Sequence, residues 1–173
     1  GTSLFGWMEP NHFDEVAAEF FLERAKNNVG PIIPGIAPLR DLMGGRWLYK
    51  NKGMFRKLKA YMQEIHKTGA KLFVQLTAGF GRSFAITNPL VPFLKHRALG
   101  ALIKPVIDVS YICASPSELP SRWAEDVKCR AVTKKEIQKM IYAFAETSRL
   151  CKEAGVDGVE VHAVHEGYLL DQF

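Results

Sequence analysis

The stretch Ala154-Gly155-Val156-Asp157-Gly158-Val159-Glu160-Val161-His162 decides the fold. Its first glycine suits the end of a helix, and the apolar, β-branched residues that follow at once are typical of a buried strand. The same joint occurs earlier, where Thr68-Gly69-Ala70-Lys71 leads into the strand Lys71-Leu72-Phe73-Val74-Gln75-Leu76. Since each strand also follows a helical pattern, the alternation predicts an α/β fold with a parallel sheet and crossover helices.

Three predicted helices alternate with these strands. The first is expected from near Asn11, a residue type that caps helices, to Gly30, and the second closes at Gly69. The third has the clearest start, because Thr133-Lys134-Lys135-Glu136 has the form of a capping box, and it ends at Gly155. The expected apolar faces are Val16, Phe20 and Phe21 in the first helix, Phe55, Leu58, Met62 and Ile65 in the second, and Ile137, Ile141, Phe144 and Ala145 in the third.

Prolines and glycines interrupt the remaining segments. Residues 31–36, with the sequence PIIPGI, predict a short buried strand that is broken by its prolines. Residues 77–121 are rich in Gly, Pro and Ser, and they include one further predicted strand at about 106–113. A loop region of this length usually carries function or forms a lid.

The length of the chain limits the architecture. A complete (β/α) barrel needs about 250 residues, so 173 residues supply roughly half of one. An open parallel sheet fits the alternation equally well. Because position 1 is Gly rather than Met, and the apolar ending Leu169-Leu170-Asp171-Gln172-Phe173 has no stop signal, we expect an internal piece of a longer chain.

Composition excludes several classes of protein. Hydrophobic residues make up 47% and charged residues 24%, which is ordinary for a globular domain and not for a disordered or coiled-coil chain. The net charge of +5 is spread along the sequence without a nucleic-acid-binding motif, so no nucleic-acid partner is expected. An apolar run of about 18 residues, as a membrane span needs, is not found. Three cysteines without metal-ligand spacing indicate a reducing, cytoplasmic location.

Two histidines and a tyrosine lie at or just beyond the end of the strand predicted within residues 156–162. Side chains alternate along a strand, so Glu160 and His162 are expected on the same face, with His165 and Tyr168 just beyond its carboxyl end. Ligands of parallel α/β folds bind at that end. Imidazole N–H groups can polarise a carbonyl or carboxylate, and a phenol can donate a proton. The simpler alternative is that His162 is a hydrogen-bonded interior histidine and His165 a loop residue.

A metal site is a second alternative for the same segment. The spacing His162-x-x-His165, with Glu166 or Asp171 nearby, could bind zinc or iron and would then indicate a metal-dependent barrel hydrolase. The spacing does not match a helical H-E-x-x-H motif, however, so we expect no metal.

The other strand end carries Gln75 within an apolar run. A carboxamide offers both a donor and an acceptor, which suits the edge of a planar heterocycle such as the flavin pyrimidine. The alternative is an interior glutamine that is bonded to backbone. Beyond it, Arg82 follows Gly79-x-Gly81 and could bind an anion or face solvent, and this pair of glycines alone is weak evidence for phosphate binding.

Four segments together resemble a known family. The run from His162 to Phe173, HAVHEGYLLDQF, is similar to the signature of the Old Yellow Enzyme family of NADH:flavin oxidoreductases, in its branch of 2-enoate and 2,4-dienoyl-CoA reductases. Residues 75–82, Ala114-Ser115-Pro116-Ser117 and Phe21-Leu22-Glu23-Arg24-Ala25-Lys26 resemble the same branch. The resemblance implies a (β/α)₈ TIM barrel that binds FMN, of which residues 1–173 would be about the first half, as an incomplete domain of a longer chain.

The resemblance also implies roles for the candidate residues. Gln75 would bond the FMN pyrimidine, with Gly1 and Thr2 near the flavin and His162 touching it. In this branch FAD-binding and iron–sulfur (4Fe-4S) segments often follow in the missing part of the chain.

The implied reaction is ene-reduction. His162 and His165 would hold the carbonyl or carboxylate of an α,β-unsaturated acid, ketone or acyl thioester, and Tyr168 would be the proton donor. The partners would be this enoate and NAD(P)H as electron donor, and a homo-oligomer is an open alternative. A further alternative is a truncated fragment without activity of its own.

Overall fold

A parallel sheet with helices packed against it forms the centre of the structure, a computed structural model that describes residues 3–6, 12–43, 45–86, 88–165 and 168–173. The strands are β1 (Pro31–Ile32), β2 (Ala37–Pro38), β3 (Lys71–Thr77), β4 (Ala114–Ser115), β5 (Arg130–Ala131) and β6 (Gly158–Val161). The helices are α1 (Glu15–Lys26), α2 (Lys52–Lys67), α3 (Val91–Lys95), α4 (Arg97–Ile103), α5 (Val109–Ile112) and α6 (Lys134–Glu153). Short 3-10 segments span Leu48–Lys50, Gly81–Ser83, Asn88–Leu90 and Leu169–Gln172.

Strand β3 is the central strand. It pairs in parallel with β6 on one side, where Gln75 lies opposite Glu160, and with both β1 and β2 on the other. The predicted parallel α/β arrangement is therefore confirmed for this sheet. A separate two-stranded parallel sheet joins β4 to β5.

The proline-broken strand is two short strands with a bulge between them. The five residue steps from Ile32 to Ala37 face only four steps from Leu72 to Leu76. One extra residue is thus accommodated around Pro34, which cannot donate to a ladder and is tolerated at a bulge. The expected interruption is confirmed, and the strand continues further than predicted, to Pro38.

Helix α1 differs from the prediction at its start and on its buried face. Asp14 is its N-cap and accepts a hydrogen bond from the amide of Ala17, whereas Asn11 lies outside the described residues. Val16 is 83% exposed and Phe20 is half exposed, so the expected stripe is wrong. The buried side chains are the small ones, Ala17, Ala18 and Ala25, which let the helix backbone approach α2 closely enough for Tyr61 to donate to the carbonyl of Ala18.

Helix α2 confirms its predicted face, because Phe55, Leu58, Met62 and Ile65 are all buried. Helix α6 confirms its capping box, in which the amide of Glu136 donates to Thr133 Oγ1 while the Glu136 carboxylate accepts from the Thr133 amide. Its face is rotated from the expected one, since Ile141 and Ala145 are exposed. The buried side of α6 consists of Met140, Ala143, Thr147 and Cys151.

The predicted strand at 106–113 is wrong. Residues 109–112 form a helical turn, α5, in which the amides of Tyr111 and Ile112 bond the carbonyl of Asp108. The Asp108 side chain accepts from Ser110 Oγ and pairs with Arg40 at 2.6 Å. This anchored residue begins the turn, and a short apolar run does not by itself distinguish strand from helix. Among the described helices, none is both long and apolar enough to cross a bilayer.

Candidate active site

The carboxyl ends of β3 and β6 bring two polar side chains together. Gln75 and Glu160 are opposite each other in the parallel register, and Gln75 Nε2 donates a hydrogen bond to Glu160 Oε1. A carboxylate only accepts, so this contact fixes the amide nitrogen of Gln75 toward Glu160. The Gln75 carbonyl oxygen is thereby oriented toward another donor. The sequence pointed to Gln75, but it gave Glu160 only as a neighbour of the histidines.

An aromatic cluster lies just past β6. The ring centroids of His162, His165 and Tyr168 are 5.1 to 5.4 Å apart in all three pairs. Phe80, from the turn after β3, packs edge-to-face on Tyr168 at 4.8 Å. The structure therefore brings together the three side chains that the sequence placed at or just beyond the end of this strand, although Glu166 and Gly167 of the same loop lie outside the described residues.

His162 carries a buried polar atom without a partner. Its Nε2 is inaccessible to solvent and has no hydrogen-bond partner among the described residues. Burial lowers the pKa of His162, the nearby His165 lowers it further, and Glu160 opposes the shift. His162 is therefore neutral at pH 7, with one ring N–H to donate. Buried polar groups of this kind are normally satisfied, so the atom indicates where a ligand atom would bond.

The turn after β3, residues 78–83, depends on two glycines and on hydrogen bonds to the side chain of Gln172. Gly79 has φ +122° and Gly81 has φ +57°, a region that favours glycine. The Gln172 carboxamide donates to the carbonyl of Phe80 and accepts from the amide of Arg82, both at 3.1 Å. A Cβ on Gly81 would lie 2.3 Å from this carboxamide, so any other residue there would displace the Gln172 side chain.

Sequence reasoning missed Phe80, Gln172 and also Tyr111, which donates to the carbonyl of Ala78 at 2.5 Å. Phe80 and Gln172 lie within segments 75–82 and 162–173 that resemble the family, and Gly79-x-Gly81 indicated the turn, but none of these signals gave the contacts between them.

The remaining predicted site residues lie elsewhere. Arg82 sits in the turn after β3, and the pKa of the Cys129 thiol is lowered first by Cys113 and, against the effect of burial, also by the positive charge of Arg82. Gly1 and Thr2 lie outside the described residues, so their predicted proximity to the flavin has no structural counterpart here. Within the described ranges, His, Cys, Asp and Glu side chains do not group in threes or more in a way that could hold a metal ion.

A parallel sheet with polar groups at its carboxyl end is the arrangement in which α/β domains typically bind ligands. Residues 2–173 match the NADH:flavin oxidoreductase / NADH oxidase family, and the chain belongs to that family. It is 48% identical over 168 residues to the probable NADH-dependent flavin oxidoreductase YqiG of Bacillus subtilis, covering 95% of this chain and 39% of that protein. It is 36% identical over 168 residues to the cinnamate reductase of Clostridium sporogenes, covering 93% of this chain and 22% of that protein.

Solved structures give the same fold. The Old Yellow Enzyme of Pichia sp. AKU4542 superposes with a TM-score of 0.67 at 22% identity, over 98% of this chain and 42% of that one. These neighbours are TIM barrels, so the predicted partial (β/α)₈ barrel is confirmed. The chain spans less than half the length of each relative named here.

Proposed function

We propose that residues 1–173 are part of an FMN-binding barrel domain of an ene-reductase. Bound FMN would supply hydride to the C=C bond of an α,β-unsaturated acid, ketone or acyl thioester, and NAD(P)H would be the electron source. The observation that carries the proposal is the unpartnered, buried Nε2 of His162 beside His165 and Tyr168. The family match and the similarity to a protein named cinnamate reductase support it.

The residues present fit a flavin. Gln75 offers a carbonyl oxygen that is oriented by Glu160, and this acceptor suits a ring N–H of the flavin pyrimidine. His162 Nε2 is positioned for a second polar contact. The glycine-containing turn after β3, clamped by Gln172, forms the adjacent wall. Gly1 and Thr2 remain predicted contributors, and FAD and 4Fe-4S groups remain predictions for further parts of the parent chain.

The substrate would be held by the histidines and protonated by the tyrosine. His162 and His165 donate ring N–H groups to the carbonyl or carboxylate oxygen, where negative charge grows as the double bond is reduced. Tyr168 Oη donates its proton to the α-carbon as a general acid. Arg82 remains a predicted contact for an anionic substrate group. The metal-dependent alternative would need a third ligand beside the two histidines, and the described residues do not group one with them.

The test is FMN affinity in the full-length protein. Gln75→Leu removes hydrogen bonds to the ring and leaves polar ring edges unpaired, at a cost of about 1–3 kcal/mol. We expect FMN, titrated by quenching of its fluorescence, to bind at least several-fold more weakly. Tyr168→Phe is the matched control and should bind FMN as the wild type does. Unchanged affinity in Gln75→Leu would remove this residue from the flavin site.

A further inference from the structure

Two cysteines outside the proposed flavin site lie side by side. Cys113 and Cys129 directly precede β4 and β5, whose parallel register pairs Ala114 with Arg130. The ladder extends to the cysteines, because the amide of Arg130 donates to the carbonyl of Cys113 at 3.0 Å. Neighbouring strands are about 4.8 Å apart, which is within the Cα separation of about 4.4–6.8 Å that a disulfide spans.

Both thiols are free, and the two side chains belong to one small buried cluster with Val127. The interaction between the two thiols raises the pKa of Cys113, as burial also does, and lowers the pKa of Cys129. Burial opposes the shift at Cys129, and the Arg82 charge adds to it. These opposite shifts favour Cys129 over Cys113 as the thiol that ionises first.

The pair also lines a cleft. Cys113 and Cys129 are only 5% and 1% exposed, yet both lie in the wall of a cavity of about 690 Å³. That wall includes the cationic side chains of Lys104, Lys128 and Arg130 and the carboxylates of Asp108 and Glu118. A small oxidant that enters this cavity would therefore come next to both cysteines. Cys151 is a contrasting case, since it is completely buried in the main core.

We propose that Cys113 and Cys129 are a reversible oxidation site, which a hydroperoxide converts into an intramolecular disulfide. The Cys129 thiolate attacks the terminal peroxide oxygen, the O–O bond breaks, and Cys129 becomes a sulfenic acid; the departing hydroxide or alkoxide takes a proton from solvent and leaves as water (from hydrogen peroxide) or an alcohol. Cys113 then attacks the sulfenic sulfur, the S–S bond forms, and the hydroxyl leaves as water with the thiol proton. The two sulfurs together lose two electrons, and the peroxide gains them.

The disulfide would join the two ends of a segment that lies against the turn after β3. Within that segment the amide of Arg122 donates to the carbonyl of Arg82 at 2.9 Å, and Trp123 Nε1 donates to the carbonyl of Ser83 at 3.0 Å. Oxidation would therefore restrain a segment that borders the proposed active site. Oxidation of this cysteine pair does not require bound flavin and is independent of the proposed function.

The experiment is peroxide treatment of the full-length protein, followed by alkylation under denaturing conditions and peptide mass spectrometry without reduction. Digestion should use a protease that spares the basic residues Lys128 and Arg130 on either side of Cys129. We expect a cross-linked peptide that joins Cys113 to Cys129, lighter than the two thiols by two hydrogen atoms. Dithiothreitol should abolish it, and Cys151 should remain alkylated.

Two variants distinguish the roles of the sulfurs. In Cys113→Ser the sulfenic acid on Cys129 has no resolving thiol, so it should accumulate and react with dimedone. Cys151→Ser is the control and should form the cross-link at the wild-type rate. The proposal is overturned if peroxide leaves Cys113 and Cys129 alkylatable in the wild-type protein, or if Cys151 enters the cross-link instead. The wild-type measurement decides the matter even where a variant does not fold.

Discussion

Tyr168 contacts three aromatic or imidazole rings, which fix the direction of its hydroxyl. Its ring packs on Phe80 at 4.8 Å and on the two histidines at 5.1 and 5.2 Å. A phenol held in this way loses little freedom on donating a proton to a substrate. In our proposal the histidines bind the oxygen of the substrate while Tyr168 acts only in proton transfer, so the two roles can be separated by mutation.

Tyr168→Phe should slow only the half-reaction that reduces the enoate. The change deletes the proton donor and keeps the ring contacts, and loss of a general acid costs about 10²–10⁴-fold in rate. Flavin reduction by NAD(P)H should stay at the wild-type rate. Stopped-flow absorbance measures the two half-reactions separately. Wild-type reoxidation by the enoate in this variant would exclude Tyr168 as the acid, and His165 or water would become the candidate.

The pKa of His162 predicts a pH dependence of stability. Burial lowers this pKa in the folded protein below its ordinary value of 6.5. The unfolded chain therefore binds more protons as pH falls below about 6.5, so the free energy of unfolding falls with it, until the folded pKa is also passed. Urea titrations at about pH 7.5 and 5.5 should show a larger loss of stability for the wild type than for His162→Gln. An equal loss in both proteins would contradict the prediction.

At the scale of elements, the start of α6 shows what a local sequence pattern can specify. The capping box depends on residues within one turn, so the sequence predicted it correctly. Burial opposes ionisation of Glu136, but hydrogen bonds from Arg130 and Thr133 outweigh it and lower the Glu136 pKa to about 2. The buried face of the same helix was mispredicted because it depends on distant packing and includes Thr147, a polar residue that hydrophobic periodicity does not count.

Thr133→Ala should destabilise the protein by about 0.5–2 kcal/mol, the usual cost of losing an N-cap. The variant leaves the Glu136 amide without its side-chain acceptor. Lys135→Ala, an exposed position in the same turn, is the matched control and should change stability by no more than about 0.5 kcal/mol. Chemical denaturation measures both. Equal midpoints for the two variants would show that the cap contributes nothing measurable.

The two helix-to-strand joints were predicted for a similar reason, since each depends on one glycine. Gly69 and Gly155 adopt φ values of +83° and +88°, and each ends a helix just before a strand. The carboxylate of Asp157, in the second joint, accepts a hydrogen bond from the amide of Leu72 in β3. This bond connects the second joint to the strand that follows the first joint. A sequence can predict regular alternation of this kind, whereas it cannot predict that Asp157 bonds the amide of Leu72.

For the whole molecule, the prediction failed where residues distant in sequence decide the structure. The apolar pattern at 106–113 predicts a strand, but Asp108 in this segment pairs with Arg40, which is 68 positions away. Gln172 and Phe80, 92 positions apart, were missed for the same reason. Gln75, His162, His165 and Tyr168 were found because each occupies a strand end or lies just beyond one, and that position follows from local pattern alone. Their proposed roles remain predictions.

Arg40→Met should cost about 3–5 kcal/mol of stability, because it leaves the carboxylate of Asp108 buried without its counter-charge. The side chains of Arg40 and Asp108 are only 19% and 5% exposed. The pair Lys57–Glu15 has the same 2.6 Å separation but is 59% and 72% exposed, so Lys57→Met is a suitable control and should destabilise the protein much less than Arg40→Met does. Guanidinium denaturation of both variants tests the contrast, and similar losses would contradict it.

The two hydrogen bonds between the Gln172 carboxamide and the turn after β3 limit when this turn can form during synthesis. The wall of the proposed site needs a carboxamide that is translated some 90 residues after the turn it holds. Contacts with such large sequence separation form slowly, since a long stretch of chain must be ordered first. On the ribosome, β3 and its turn are made long before Gln172 leaves the exit tunnel. The turn must therefore wait for its partner, and the nascent chain can acquire this wall only after the segment around Gln172 has emerged.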